Sequence, residues 1–188
     1  MMKRDDCVRL IAREHTDEIV VPLYQAAFEW MVIKPWPLTY YAFGAMGQGS
    51  SHGLGFALGR PDRRVLVLDG DGSLLMNLGT LVTIGEVAPP NLVHFVFENG
   101  TYEANGAHPI PGAGRIDFAG IARAAGIRQT YSFDDIDLFA EKLPSIMRAE
   151  GPVFIDLKVF PGDTYEYRWD VIHEPDSRNS FREAMNRI

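Results

Sequence analysis

Short apolar runs alternate along the chain with longer stretches whose apolar residues recur at helical spacing. The pattern predicts strands near residues 19–21, 40–43, 65–68, 92–97, 129–131 and 153–159, with helices near 23–32, 50–58, 74–87, 117–125 and 136–148. Strand, helix, strand repeated in this way predicts an α/β fold: a doubly wound, mostly parallel sheet with helices on both faces. Two stretches break the rhythm. Residues 99–114, rich in glycine and proline, are too long for a tight connection and predict a functional loop. Residues 161–188 read as a C-terminal tail that packs on a neighbour or ends in a short helix over 178–188.

Composition narrows this picture. A chain of 188 residues predicts one domain, 1–188, large enough to bury a core without disulfides. The single cysteine, Cys7, has no internal partner, which suits a reducing cytoplasm. Its charged beginning lacks the apolar centre of a signal peptide, and the apolar stretch 19–33 is too short to span a bilayer. Eighteen basic against twenty-five acidic residues give a net charge of −7, which argues against a nucleic-acid surface. A small anionic substrate is not excluded, since a few local cations or helix N-termini suffice to bind one.

The candidate chemistry lies where apolar runs end. Val65-Leu66-Val67-Leu68 leads into Asp69-Gly70-Asp71-Gly72, and the next apolar run leads into Asn99-Gly100-Thr101-Tyr102. A strand ending in Gly-Asp-Gly delivers a carboxylate to the crevice at the carboxyl edge of a parallel sheet, and its glycines let backbone approach phosphate oxygens. One helical crossover returns Asn99 beside Asp71 as a second hard oxygen ligand. That pairing suits a magnesium diphosphate site. Ser73 and the first amides of the following helix can hold a diphosphate, or Asp71 and Ser73 can simply cap that helix. Gly47-Gln48-Gly49-Ser50-Ser51 begins like a dinucleotide fingerprint, but His52 stands where its last glycine belongs. His94, inside an apolar run, reads as a satisfied core residue, whereas His52 and His108 remain open between solvated and functional roles.

These motifs, with Gly44-Ala45-Met46-Gly47, Gly59-Arg60-Pro61-Asp62-Arg63, Leu74-Leu75-Met76 and Gly106-Ala107-His108-Pro109, resemble the diphosphate-binding domain of thiamine diphosphate enzymes. Within that superfamily the chain is most similar to the sulfopyruvate and phosphonopyruvate decarboxylases, over roughly residues 39–160. The resemblance implies that Asp71, Asn99 and the Thr101 carbonyl bind Mg2+. It implies cofactor contacts at Gly44, Ala45, Met46, Gly70, Gly72, Ser73 and Tyr102, with Met46 wedged beneath the bent cofactor. Met46 also fits an ordinary core position. Glu103 and His108 are the candidate catalytic residues, His108 through contact with substrate or a leaving carboxylate. Two departures stand out: His108 replaces a glutamine, and Glu98 replaces an asparagine or aspartate, setting a further carboxylate beside the metal ligands.

In the resembled enzymes the glutamate that activates the aminopyrimidine comes from a separate pyrimidine-binding domain. This chain is too short to include one, so the resemblance implies a split enzyme: a beta-type subunit in an oligomer with an alpha-type partner that supplies the glutamate. The implied activity is decarboxylation of a small 2-oxoacid. Two alternatives stay open: an acetolactate synthase-like carboligase subunit, or a cofactor-binding subunit without turnover.

Overall fold

The computed structural model describes residues 1–42, 44–160 and 165–187. In chain order the elements are β1 (Met2–Lys3), α1 (Arg4–Glu14), β2 (Ile19–Pro22), α2 (Tyr24–Ile33), α3 (Gly49–Gly59), β3 (Val65–Gly70), α4 (Asp71–Met76), α5 (Thr80–Val87) and β4 (Leu92–Glu98). There follow β5 (Thr101–Tyr102), a 3-10 turn at Glu103–Asn105, β6 (His108–Pro109), α6 (Phe118–Ala124), β7 (Gln129–Phe133), α7 (Ile136–Arg148), β8 (Val153–Phe160), α8 (Trp169–His173) and α9 (Pro175–Asn186).

Six strands form one sheet of order β1-β8-β4-β3-β2, with β7 also pairing β8, and every pairing is parallel. Side chains alternate across it, as period two requires. Leu66, Leu68, Phe95 and Ile155 face a core shared with Val8 and Ile11 of α1, Trp30 of α2 and Leu143 of α7. Val65, Val67, Val96 and Phe154 face the opposite core, with Leu54 of α3, Leu74 of α4, Leu81 of α5 and Phe118 of α6. The mostly parallel sheet covered on both faces is therefore as the alternation predicts. Helix α7 starts where expected because Asp135 caps it, accepting from Asp137 and Leu138 N–H at 2.9 and 3.0 Å.

Several expectations need correction. Residues 40–43 form no strand among those described: a single bridge joins Val20 to Thr39, and Phe43 lies outside the described residues. The expected helix over 74–87 begins at Asp71 and divides into α4 and α5. Asn77 leaves the helical track because the Thr80 hydroxyl takes its carbonyl and its own amide reaches Ser51 Oγ at 3.3 Å. The charged N-terminal stretch is the amphipathic helix α1, burying Cys7, Val8, Ile11 and Ala12. In the tail, α9 starts at Pro175, earlier than expected, while residues 161–164 and Ile188 lie outside the described residues. The Tyr167 ring meets Phe28 edge-on and its hydroxyl accepts from Gln25 at 2.8 Å, so this part of the tail packs on α2.

Candidate functional site

A cleft opens at the carboxyl ends of β3 and β4, where parallel sheets of this kind present their ligands. Gly70, Asp71, Gly72 and Ser73 form one wall, Asn99, Thr101, Tyr102 and Glu103 another, and Met46 a third side. Adjacent parallel strands in register bring the two motifs together, since Gly70 on β3 stands opposite Phe97 on β4.

Asp71 is buried, and both of its oxygens are occupied. Oδ1 accepts from Gly72 N–H and Oδ2 from Gly100 N–H, each at 2.7 Å. Burial pushes this carboxyl up to about 6, against the pull of the backbone N–H groups around it. Ionised, it is a buried anion to which no cationic side chain among the described residues is bonded, the condition that a bound cation relieves. Asn99 Oδ1 accepts from Thr101 N–H at 2.9 Å and its Nδ2 donates to Glu103 at 2.8 Å. The Ser73 hydroxyl accepts from Gly47 N–H at 3.1 Å, which ties the 44–47 segment to α4.

The glycines have separate reasons. A Cβ on Gly72 would lie 2.5 Å from the Tyr102 ring, so glycine here lets β5 pack on α4. A Cβ on Gly70 would meet nothing within 4 Å, so that position faces open cleft. One carboxylate, one amide oxygen and open space beside them fit a magnesium ion that shares its coordination with phosphate oxygens and water. Among the described residues no group of three His, Cys, Asp or Glu side chains could hold a metal unaided.

Other candidates fall elsewhere. Gly44 and Ala45 precede Met46 but do not line the cleft, and Gly44 has a left-handed φ of 72°. His108 is exposed, opposite Tyr102 in the β5–β6 pairing, and also outside the lining. His52 packs against Tyr40. His94 is buried with Nε2 3.3 Å from Asp69 Oδ2, while its Nδ1 has no partner. Glu98 is not a loose carboxylate beside Asn99: its register partner on β8 is Lys158, which bonds Glu98 and also Asp156, the latter at 2.8 Å.

From sequence the segment 22–37 is a candidate for shaping the substrate end without any lining residue being named, and Arg4 is missed altogether. Arg4, Leu23, Tyr24, Gln25 and Ala26 line the cleft. Tyr24 holds a positive φ of 45°, a strained conformation of the kind that clusters at functional sites. The Pro22 and Gln25 that interrupt the apolar stretch were the available signal.

Residues 24–157 match the family model described as the thiamine pyrophosphate enzyme, C-terminal TPP binding domain. The chain is 36% identical over 164 residues to the sulfopyruvate decarboxylase subunit beta of Methanothermobacter thermautotrophicus, covering 87% of this chain and 85% of that one. It is 39% identical over 123 residues to the phosphonopyruvate decarboxylase of Streptomyces viridochromogenes, covering 65% of this chain but 30% of that protein. The fold is similar to that of the thiamine diphosphate-dependent 4-hydroxybenzoylformate decarboxylase of Rhodococcus jostii, with a TM-score of 0.71 at 22% identity over 86% of this chain and 33% of that one. A parallel sheet presenting Asp71 and Asn99 to one cleft, together with these matches, places the chain among the thiamine pyrophosphate enzymes as a member of their C-terminal TPP-binding domain family.

Proposed function

We propose that the chain is the beta-type, diphosphate-binding subunit of a thiamine diphosphate- and magnesium-dependent 2-oxoacid decarboxylase. The observation that carries the reading is the buried Asp71 carboxylate sharing its cleft with Asn99 and Thr101. In this reading Asp71, Asn99 Oδ1 and the Thr101 carbonyl hold Mg2+, and Ser73 with the backbone at Gly70 and Gly72 receives the diphosphate. Gly44, Ala45, Met46 and Tyr102 shape the cofactor's seat. When bound, the cofactor supplies the electron sink that accepts the pair released as carbon dioxide leaves.

The chain's own residues supply position and a water-poor surface. Phe97, Leu23 and Met46 give the cleft its apolar lining, while Asp71 and Asn99 fix the charged end. Of the two catalytic candidates on the 99–114 loop, Glu103 lines the cleft, whereas His108 is exposed and lies outside its lining. The substrate is a small 2-oxoacid of the sulfopyruvate or phosphonopyruvate kind. The activating glutamate belongs to an alpha-type partner carrying the pyrimidine-binding domain, residues 1–188 form one domain with a tail over 161–188, and the assembly works in the cytoplasm. No helix among the described residues is long and apolar enough to cross a membrane.

Calorimetry of thiamine diphosphate binding, with and without Mg2+ and with and without a pyrimidine-domain partner, tests the reading. Mg2+-dependent binding that tightens with the partner, followed by aldehyde formation from a 2-oxoacid, is the expected result. Acetolactate as product would indicate carboligation, and binding without turnover in the assembled complex would indicate a non-catalytic subunit. Absence of binding in every mixture would overturn the cofactor assignment.

A further inference from the structure

Among the described residues that line the cleft, the one cation is Arg4, and the proposed function leaves it without a task. It is 3% exposed, with its guanidinium between two carboxylates. Nε donates to Glu29 at 2.8 Å, while Nη1 donates to Glu103 Oε2 at 2.6 Å and Nη2 lies 3.5 Å from Oε1. The same Glu103 Oε2 accepts from Asn99 Nδ2 at 2.8 Å. At the other end of that amide, Oδ1 accepts from Thr101 N–H at 2.9 Å and from its hydroxyl at 3.1 Å.

An asparagine amide has two unlike ends, and only its oxygen can bind a hard cation. Turned over, Asn99 would set donor against donor at Thr101 and acceptor against acceptor at Glu103. A carboxylate only accepts, so Glu103 bonds the NH2 end and rejects the oxygen. Arg4 holds Glu103 at that station and is itself held by Glu29. We infer that Arg4 and Glu103 are positioning residues acting through Asn99, fixing its amide so that oxygen is offered to the divalent cation held with Asp71. The inference rests on the proposed function, which assigns that cation. Outer partners of this kind carry about 10–100-fold in metal affinity.

The test titrates Mg2+ into the full chain in the presence of thiamine diphosphate and follows cofactor binding by calorimetry. It compares wild type, Glu103→Ala, Glu103→Gln, Arg4→Ala and the Arg4→Ala/Glu103→Ala double variant, and records the apo melting temperature of each. Glu103→Ala is expected to raise the Mg2+ midpoint about tenfold or more. Glu103→Gln, which can place its oxygen at the same point, keeps most of the affinity. Arg4→Ala shifts the midpoint in the same direction, and the double variant goes no further than Glu103→Ala, because residues acting through one contact are not additive. Arg4→Ala supplies the comparison should Glu103→Ala not fold. Unchanged Mg2+ midpoints beside a lowered melting temperature would overturn the relay and leave the proposed function intact, as would additive shifts from the two residues. Failure of wild type to bind the cofactor at any Mg2+ concentration, both alone and mixed with the pyrimidine-domain partner, would overturn both.

Discussion

Gly100 donates its backbone N–H to Asp71 Oδ2 at 2.7 Å, spanning the carboxyl ends of the neighbouring strands β3 and β4. The two halves of the motif are thus one bonded unit before any ligand arrives. The geometry of the cleft depends on the backbone after Asn99 as much as on the side chains that face it.

Asp71→Asn is expected to remove Mg2+-dependent cofactor binding by more than the roughly 10–100-fold that outer partners contribute to metal sites. At pH 8 the apo chain loses a buried anion but also an acceptor, because the amide can accept from only one of the Gly72 and Gly100 N–H groups and turns its NH2 toward the other. A modest loss of about 1–3 kcal/mol is therefore expected. Calorimetry paired with thermal melting separates the two effects. Retained binding, or a collapse of the apo fold, would count against the assignment.

Gly72→Ala tests the close approach of β5 to α4. In an open helix position the change would add up to about 1 kcal/mol of stability. Here the new methyl meets the Tyr102 ring, and overpacking of this kind costs about 1–3 kcal/mol. Denaturant unfolding should therefore show a loss, and a gain would mean that the loop yields freely.

Lys158→Met should destabilise the chain by about 3 kcal/mol, since it leaves Glu98 and the fully buried Asp156 without their cation. Adding Glu98→Gln should restore part of that loss. Urea titrations of the single and double variants measure it, and equal losses in both would show that Glu98 does not depend on Lys158.

Glu29 gives the pH dependence a sign. Burial raises its carboxyl from the ordinary 4.5 to about 7, with Arg4 opposing. The folded state therefore holds a proton that the unfolded chain has released between those values, and stability contributed below pH 4.5 is lost as pH rises through 7. Glu29→Gln should flatten this decline. Melting temperatures from pH 4 to 8 check it, and a wild-type protein that gains stability across the window would refute the assignment.

Much of the frame and the centre of the site were legible. Val65 to Leu68 and Leu92 to Phe97 are apolar runs closed by punctuation that serves both as strand end and as chemistry, so β3, β4, Asp71 and Asn99 could be placed together. The Arg4 wall was not legible. Its partners lie 25 and 99 residues away, and a charge stabilised by distant carboxylates looks in sequence like any solvated charge. For the same reason α1 was concealed, its short apolar stripe outweighed by charged neighbours. The split between α4 and α5 depends on Thr80 competing for one carbonyl, a choice below the resolution of periodicity.

Strand β1 lies beside the far end of β8, with Met2 in register with Val159. Contacts between such distant parts of a chain close slowly, because the intervening loop must be ordered first. Strand β1 cannot pair before β8 is made, and Arg4, which follows β1, has both its carboxylate partners only once Glu103 is made. A chain in which β1 had not paired with β8 would carry both halves of the motif on β3 and β4, with the Arg4 wall unanchored at its outer strand.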